Sequence, residues 1–469
     1  MSLQFKRHIL TNGLRLIVHE DHSTPLASCN VVYNVGSRDE NPDLTGMAHL
    51  FEHFMFTGSK NIPDYDAQLQ SVGAINNAYT TQDITHYYIT LPAVNIEHAL
   101  WLESDRMMEL AFQQEKLDIQ KHVVIEEFKE NFLNRPYGDI WMLYNQFYFQ
   151  KHPYQWLPIG KEISHIEKVS MEDMKAFFYR YYRPNNAVLT ISGDVKFEEI
   201  VPLVEKWFGA ILAGPISSVE TQCIASLQDT RTGTHNGAPI YHKSSSVETR
   251  HGMSLQDTRE KQNTQGKGGL SQRKTYPQED PPTQHRLFEV QRNVPADMLF
   301  KGWPTCGRLE TDFYAYDMLS DLFGSGQSSY LYKKFVMEEA IFTDISAYIT
   351  GTLDPGIFII GGRPAEGVSI EEADQKLNDF LYQLPENCIS SHDLQKVKNR
   401  VESIILQNDI KIEDRSSSLA VAECFSCAED FNDETNRYFA VTEEQINTLC
   451  HNMFRRKQEA TMYYRAVNS

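Results

Sequence analysis

Three residues in one short stretch, His49, Glu52 and His53, have the types and spacing of a metal-binding group. Residues four apart lie on the same face of an α-helix, so the imidazoles of His49 and His53 can reach one cation. Two neutral imidazoles and an acidic ligand suit Zn²⁺ and leave a fourth position for water. Glu52 lies beside them and can accept a proton from that water. The order His-x-x-Glu-His, the inverse of His-Glu-x-x-His, therefore predicts a hydrolytic zinc site.

The residues around this motif bear on the alternative that the pattern arose by chance. The segment is strongly apolar and contains Phe51, Phe54, Met55 and Phe56. Three ionisable groups in so apolar a helix would be costly unless they were paired or bound to a metal. We expect residues 57–59 to end the helix, with Gly58 as the C-cap.

A third metal ligand must come from another segment, and residues 120–130 are the best candidate. They form a helical pattern with apolar Val123 and Val124, so part of this helix is expected to be buried. Glu127 shares a face with these valines, whereas Glu126 and Glu130 lie further round. The alternative is that all three acids form an ordinary solvent-exposed charged face, and spacing alone leaves this open.

Further motifs follow one another in a specific order along the chain. They are Leu10-Thr11-Asn12-Gly13-Leu14, Val35-Gly36-Ser37-Arg38-Asp39-Glu40, Thr45-Gly46-Met47-Ala48, Asn76-Asn77-Ala78-Tyr79-Thr80, Asp83-Ile84-Thr85-His86-Tyr87-Tyr88, Val123-Val124-x-Glu126-Glu127 and Asn134-Arg135-Pro136-Tyr137-Gly138. With these motifs the chain resembles the pitrilysin family of inverzincin zinc peptidases, which includes insulin-degrading enzyme and the mitochondrial processing peptidase. The resemblance covers nearly the whole chain apart from an insertion near its middle.

The resemblance implies roles for particular residues. It selects Glu127 as the third ligand of one Zn²⁺ per chain, beside His49 and His53. The family places a glutamate near the metal seven residues earlier, and here that position is Gln120, an uncharged amide that can still orient a neighbour by hydrogen bonding. Asn77 and Ala78 match the segment that pairs with the substrate backbone as an added strand. From the residues alone, a turn residue between strands is the preferred interpretation of Asn77.

The resemblance also implies an activity, zinc-dependent hydrolysis of peptides or unfolded segments. Glu52 would accept a proton from the water held by the metal and pass it to the leaving amine. The family forms a clam-like chamber from two such units, so the implied partners are a peptide substrate and a second related chain, as a homodimer or a heterodimer. The alternative is a non-catalytic or partner-dependent subunit, as in processing-peptidase heterodimers and respiratory complexes.

One departure from the family favours this alternative. Many active relatives carry an Arg and a Tyr in the second half that hold the substrate across the cleft. In this chain Phe342 falls at the Tyr position, and residues 335–342 contain no arginine. A partner chain would have to supply this clamp, or the substrate would bind differently. The glycine-rich residues 322–332 resemble a fold segment of the family and lack the Gly-Lys-Ser/Thr ending of a phosphate-binding loop.

Composition and charge restrict the function classes. The chain has 469 residues and a net charge of −19, without a basic stripe, which argues against nucleic-acid binding. The acidic balance fits an inner wall that attracts basic peptides, but simple solubility explains it better. The sequence has no run of about 18 apolar residues, so we expect no membrane-spanning helix. Residues 1–7 lack the apolar core of a signal peptide. We expect a cytoplasmic protein that binds neither nucleic acid nor membrane.

The seven cysteines suit reduced thiols, since an odd number is spread over a long chain. Cys424 and Cys427 form a single Cys-x-x-Cys motif. Without a second pair or a βαβ context, this motif is more typical of helix positions than of a redox or metal site.

A pattern of N-cap, helix and strand occurs twice in the chain and predicts two homologous halves. Ser170 and Thr442 are matching N-cap candidates, and each opens a helix that is followed by a strand. We predict an α+β fold with two homologous domains, each a mixed, mainly antiparallel sheet with packed helices, together forming half of a clam-shell chamber. The predicted boundaries are 2–214 for the catalytic domain and 277–469 for a non-catalytic domain.

The predicted linker, residues 215–276, contains a duplication. Residues 217–221 and 226–231 both recur 28 residues later. The segment is rich in Ser, Thr, Gln and Gly and poor in large apolar residues, so it cannot bury enough surface to fold alone. Its histidines, His235, His242 and His251, are better explained as linker residues than as metal ligands.

Overall fold

The computed structural model describes residues 3–214, 275–280 and 282–467. The duplicated part of the insertion, residues 217–274, lies outside the described residues. Tyr276 lies directly after it, and its hydroxyl donates a 2.7 Å hydrogen bond to Asp39 Oδ1. The predicted domain boundaries at 214 and 277 remain predictions.

The first half is built on a mixed sheet. Its strands are β1 (Lys6–Ile9), β2 (Arg15–Glu20), β3 (Leu26–Tyr33), β4 (Ile75–Thr80), β5 (Thr85–Pro92) and β6 (Ala187–Gly193). The spatial order is β1-β2-β6-β3-β5-β4, and the β2–β6 pairing is parallel while the others are antiparallel. Central β6 is buried throughout, whereas edge strand β4 alternates between exposed and half-buried residues. The sheet therefore offers an unpaired strand edge at β4.

Helices cover this sheet. In chain order they are α1 (Met47–Phe54), α2 (Tyr65–Ser71), α3 (Ile96–Met108), α4 (Gln114–Phe128), α5 (Ile140–Tyr148), α6 (Ile163–Lys168), α7 (Met171–Tyr181) and α8 (Phe197–Phe208). A π-helical segment, Lys129–Asn134, continues α4. Apolar residues of α1, α3, α4, α7 and α8 pack together with the sheet in one large core.

The second half repeats this plan. Its strands are β7 (Arg286–Arg292), β8 (Met298–Pro304), β9 (Phe342–Ile349), β10 (Ile357–Pro364) and β11 (Ala460–Ala466), and its helices are α9 (Phe313–Gly324), α10 (Ile370–Tyr382), α11 (Ser391–Asn408), α12 (Ile412–Phe425), α13 (Glu429–Ala440) and α14 (Glu443–Met453). The sheet order β7-β11-β8-β10-β9 reproduces β2-β6-β3-β5-β4, with one parallel pairing, β7–β11, at the same place.

This repeated topology confirms the prediction of an α+β fold with two homologous domains. The Ser170 side chain caps α7 and the Thr442 side chain caps α14, and strands β6 and β11 follow them. The glycine-rich run begins at the end of α9. A Cβ on Gly324 would collide with the Ala347 backbone, which explains this glycine as a close-packing position.

Each half has one helix that packs on the sheet of the other half. Helix α5 of the first half packs on the second sheet, where Tyr144 and Phe300 belong to one buried apolar cluster. Helix α12 of the second half packs on the first sheet, where Leu419 joins Ile17 and Val32. Each half therefore contributes one face of the other half's core, and the halves are held together by apolar burial.

A buried ion-pair network also joins the halves. Arg38 Nη1 lies 2.7 Å from Asp83 Oδ1 and 3.2 Å from Asp354 Oδ2, so one guanidinium contacts an acid from each half.

Among the described residues, none of the helices has both the length and the apolar character needed to cross a bilayer.

Candidate metal centre

Helix α1 presents His49, Glu52 and His53 away from the core. Leu50, Phe51 and Phe54 are buried against the sheet, and this fixes which face of α1 remains for the polar residues. The helix ends at Phe54, four residues before the predicted C-cap Gly58, so that part of the prediction is wrong.

The N-terminus of α1 is held by a buried carboxylate. Glu40 Oε2 accepts the Gly46 N–H at 3.0 Å, and Glu40 Oε1 accepts the Ala48 N–H at 2.7 Å. Gly46 has φ +89°, a conformation that favours glycine. Glu40 thereby satisfies two N–H groups that a helix start leaves unpaired, and fixes the direction of α1. Burial raises the pKa of Glu40.

Helix α4 crosses α1 and brings Glu127 to the histidines. Glu127 Oε2 lies 3.9 Å from His49 Nε2 and 3.6 Å from His53 Nε2. One donor atom from each of the three side chains lies within 4.8 Å of the other two. Glu126 instead pairs with Lys129 at 2.7 Å and is exposed. Among the acids of this helix that were candidates, the structure brings Glu127 to the histidines.

These three residues fit a zinc ion. Tetrahedral Zn²⁺ with ligand bonds of about 2.0–2.1 Å separates its ligand atoms by roughly 3.4 Å. The observed separations from Glu127 exceed this by only a few tenths of an ångström, which small side-chain rotations can close. Two imidazoles and one carboxylate are also the donor types of a catalytic zinc site with an open fourth position.

The electrostatics favour metal-binding protonation states for His49 and Glu127, whereas the raised pKa of His53 favours its protonated form, which a bound metal would have to displace. Burial, and then the nearby charge of His53, lower the pKa of His49 to about 4, so His49 is neutral near pH 7. Burial lowers the pKa of His53, but contacts with Glu127 and the charge of Glu52 outweigh it and raise that pKa. The contact with His53 lowers the pKa of Glu127 and keeps it ionised. The Gln120 side chain contacts His53 and is placed to orient its ring.

Glu52 is held by a residue to which sequence reasoning assigned no role. Thr80 Oγ1 donates a 2.6 Å hydrogen bond to Glu52 Oε2 and fixes the direction of the carboxylate. Burial raises the pKa of Glu52, and the Thr80 bond partly opposes this. Thr80 lies two residues after Ala78 on the same face of β4, so strand alternation would have been the signal for it.

Asn77 and Ala78 lie in the edge strand β4, next to α1. Ala78 lines the cavity beside the metal group, whereas the exposed Asn77 side chain accepts a 2.8 Å hydrogen bond from the Ala78 N–H. The two residues are therefore part of a strand, which excludes the alternative that Asn77 is a turn residue.

A cavity of about 760 Å³ opens over His49, Glu52 and Glu127. Its walls are largely apolar or aromatic and include Phe132, Tyr137, Trp141, Leu157 and Ile159. Sequence reasoning assigned no role to these wall residues, because they come from separate segments.

The second half supports one wall of this cavity. The Tyr137 hydroxyl donates to the Ala296 carbonyl at 2.9 Å and accepts the Ala296 N–H at 3.0 Å. Phe342, which occupies the position of the clamp Tyr, is buried in the second core and contacts Phe335. It therefore contributes to packing and not to the cleft.

Comparisons with known proteins agree with this fold. The model "Insulinase (Peptidase family M16)" matches residues 15–137, and "Peptidase M16 inactive domain" matches residues 168–401. Zinc protease PqqE of Helicobacter pylori is 25% identical over 407 residues, which cover 85% of this chain and 79% of that protein. Cytochrome b-c1 complex subunit 1 of Homo sapiens is 27% identical over 209 residues, 43% of this chain and 42% of that protein.

The crystal structure of a protease from Helicobacter pylori superposes with a TM-score of 0.80 at 21% identity, and covers 99% of this chain and 100% of that chain. The two family models match residues in both halves of the chain. The predicted resemblance is confirmed: the chain belongs to the peptidase M16 (insulinase/pitrilysin) family.

Proposed function

We propose that this chain is a zinc-dependent endopeptidase that hydrolyses extended peptides or unfolded segments. The observation that carries the proposal is the convergence of His49, His53 and Glu127 beside Glu52, all next to an unpaired strand edge. The similarity to a protein named zinc protease supports this assignment.

His49, His53 and Glu127 would hold one Zn²⁺ per chain, with Gln120 supporting His53. When bound, the ion supplies Lewis-acid activation of water and of the substrate carbonyl.

Glu52 performs the proton transfers. Its carboxylate, aimed by Thr80, accepts the proton of the attacking water and then delivers it to the nitrogen of the leaving amine. Burial raises the pKa of Glu52 and so increases its strength as a base.

Strand β4 binds the substrate backbone. An extended peptide would add to this edge and form main-chain hydrogen bonds near Asn77 and Ala78, which directs its scissile carbonyl over the metal group. The Ala78 N–H donates a hydrogen bond to Asn77 Oδ1. To pair with a substrate strand, this N–H would have to leave Asn77 Oδ1 and donate to a substrate carbonyl. An extended peptide or unfolded segment has main-chain groups free to pair along this edge, which is why the proposed substrate class is extended peptide.

A second copy of the chain, or a related chain, would complete the chamber. Exposed apolar residues on α4, Ile119 and Val123, lie along the same helix as Glu127 and support coverage of this face. The alternative function is a partner-dependent or non-catalytic subunit. It is supported by Phe342 at the clamp position and by the similarity to a respiratory-complex subunit. Cytoplasmic localisation remains a prediction.

The test is cleavage of a library of unstructured peptides by the purified chain, read by mass spectrometry, with the metal content measured on the same samples. We expect cleavage by the wild-type chain, loss of cleavage in Glu52→Gln with zinc retained, and loss of both zinc and cleavage in His53→Ala. A zinc-loaded wild-type chain that cleaves nothing would contradict self-sufficient catalysis. If adding a co-purified related chain then restores cleavage, the partner-dependent function is correct.

A further inference from the structure

Two cysteines that are distant in sequence touch in the second half. Cys388 lies just before α11 and Cys450 lies in α14, 62 residues later. Their Sγ atoms are 3.6 Å apart, which is van der Waals contact for two sulfur atoms. The Cys-x-x-Cys motif at 424–427 did not predict this pair.

Side-chain hydrogen bonds hold the two thiols in this register. Asn447, one turn before Cys450 in α14, accepts the Ile389 N–H at 2.9 Å and donates to the Ile389 carbonyl at 3.2 Å. Asn447 Oδ1 also lies 3.7 Å from Cys388 Sγ. The backbone next to Cys388 is thereby fixed to the helix that carries Cys450, so little chain movement is needed to join the sulfurs.

The two thiols have different access to solvent. Cys450 is buried, whereas Cys388 is half-buried. A surface cavity of about 480 Å³ is lined by Glu386 and Asn387, directly before Cys388, and by residues of α14 including Asn447 and His451. Because Cys388 is only half-buried, it is the more accessible of the two sulfurs to a small oxidant.

The ionisation of the pair follows the same order. The hydrogen bond between the two sulfurs lowers the pKa of Cys388, although burial opposes this. The same hydrogen bond, together with burial, raises the pKa of Cys450. Cys388, the accessible residue, therefore forms a nucleophilic thiolate more readily, and the buried Cys450 lies beside it as a thiol.

We propose that Cys388 and Cys450 are a reversible thiol–disulfide site that reacts with peroxides. The Cys388 thiolate attacks a peroxide oxygen, the O–O bond breaks, and a sulfenic acid and hydroxide form. The Cys450 sulfur then attacks the Cys388 sulfur, a new S–S bond forms, and water leaves with the Cys450 proton. Two thiols and one H₂O₂ become one disulfide and two waters, and a dithiol reductant reverses the change.

The expected consequence is a covalent link between the start of α11 and α14. It closes a loop of about 62 residues, so the oxidised second half should resist unfolding more than the reduced form. This consequence is independent of peptide cleavage, and the test below does not use activity as its readout.

The test uses the full chain, reduced, freed of reductant, and treated with a small excess of H₂O₂. The products are digested without reduction and mapped by mass spectrometry. We expect a crosslinked peptide pair containing Cys388 and Cys450, the loss of two hydrogen atoms from the intact mass, a loss of two titratable thiols, and full reversal by dithiothreitol. Thermal melting should be higher for the oxidised form.

Matched variants separate this pair from general thiol oxidation. Cys388→Ser and Cys450→Ser should each abolish the crosslink. Cys306→Ser is the control, because Cys306 is also half-buried but burial raises its pKa to about 12, and this variant should crosslink like wild type. Wild-type protein that keeps all its thiols, that links Cys424 to Cys427 instead, or that forms only a sulfinic acid at Cys388 would overturn the proposal.

Discussion

Replacing Thr80 with valine tests whether the Thr80 hydroxyl orients Glu52, the proposed general base. Valine keeps the shape of the side chain and removes only the hydroxyl that donates to Glu52 Oε2 at 2.6 Å. A hydrogen bond to a charged group contributes about 1.5–3 kcal/mol. If that energy is used to orient the carboxylate in the transition state, kcat falls by roughly 10- to 100-fold, since about 1.4 kcal/mol corresponds to tenfold.

The assay is cleavage of a quenched fluorescent peptide, with kcat and KM measured separately and zinc measured per chain. We expect KM to change by less than about twofold and zinc to stay at the wild-type level, because among the described contacts Thr80 bonds to Glu52 and not to His49, His53 or Glu127. Loss of kcat alone would therefore report the orientation of the base.

Thr90→Val is the matched control for this prediction. Thr90 lies in β5 of the same sheet, and its hydroxyl also donates to a glutamate, Glu413 Oε2, at 3.1 Å. Glu413 lies on α12 and is not part of the metal group. The kcat of Thr90→Val should equal that of wild type. A Thr80→Val enzyme with normal kcat and full zinc would refute the reasoning, and loss of zinc would show that Thr80 supports the fold of the site instead of the base.

Three further outcomes are expected from buried or half-buried polar groups. Glu40→Gln leaves one N–H at the start of α1 poorly paired, so the melting temperature should fall and zinc affinity in a chelator competition should drop about tenfold; unchanged zinc affinity would contradict the role of Glu40 in aiming α1. Burial opposes ionisation of Asp21, but hydrogen bonds from Ser23 and Arg415 outweigh it and lower the pKa of Asp21 to about 2. This stabilisation, at most about 2.5 kcal/mol, is present above about pH 4 and is lost as pH falls towards 2. Denaturant unfolding should therefore separate Asp21→Asn from wild type at pH 7 and not at pH 2, and an equal difference at both would contradict it. The Thr190 hydroxyl is buried without a partner among the described residues, so Thr190→Val should raise the melting temperature by about 2 °C, and a lower value would indicate a bridging water.

The metal-binding half of α1 could be predicted from sequence because it depends on local geometry. The spacing of His49 and His53 places both rings on one face of any helix, and the apolar residues between them decide which face turns inward. The repeated halves were also predictable, since an N-cap followed by helix and strand recurs at Ser170 and Thr442. Each of these signals lies within one short segment of the sequence.

Other features depended on the approach of separate segments. Spacing alone did not distinguish Glu127 from Glu126, because that choice depends on the angle at which α4 crosses α1. Val123, expected in the buried part of α4, is 44% exposed, because α4 packs mainly through Val124 and Phe128. In α4, periodicity predicted the helix but not its rotation.

What the sequence by itself determined was the chemistry available: two imidazoles and a carboxylate at helical spacing, within a chain that carries the motifs of one peptidase family. Only the tertiary structure decided that Thr80 aims Glu52, that α5 and α12 exchange between the two sheets, and that Cys388 meets Cys450. The physical reason is that helical spacing acts over a few residues, whereas these contacts join segments between 28 and several hundred residues apart, which only the packing of the cores brings together.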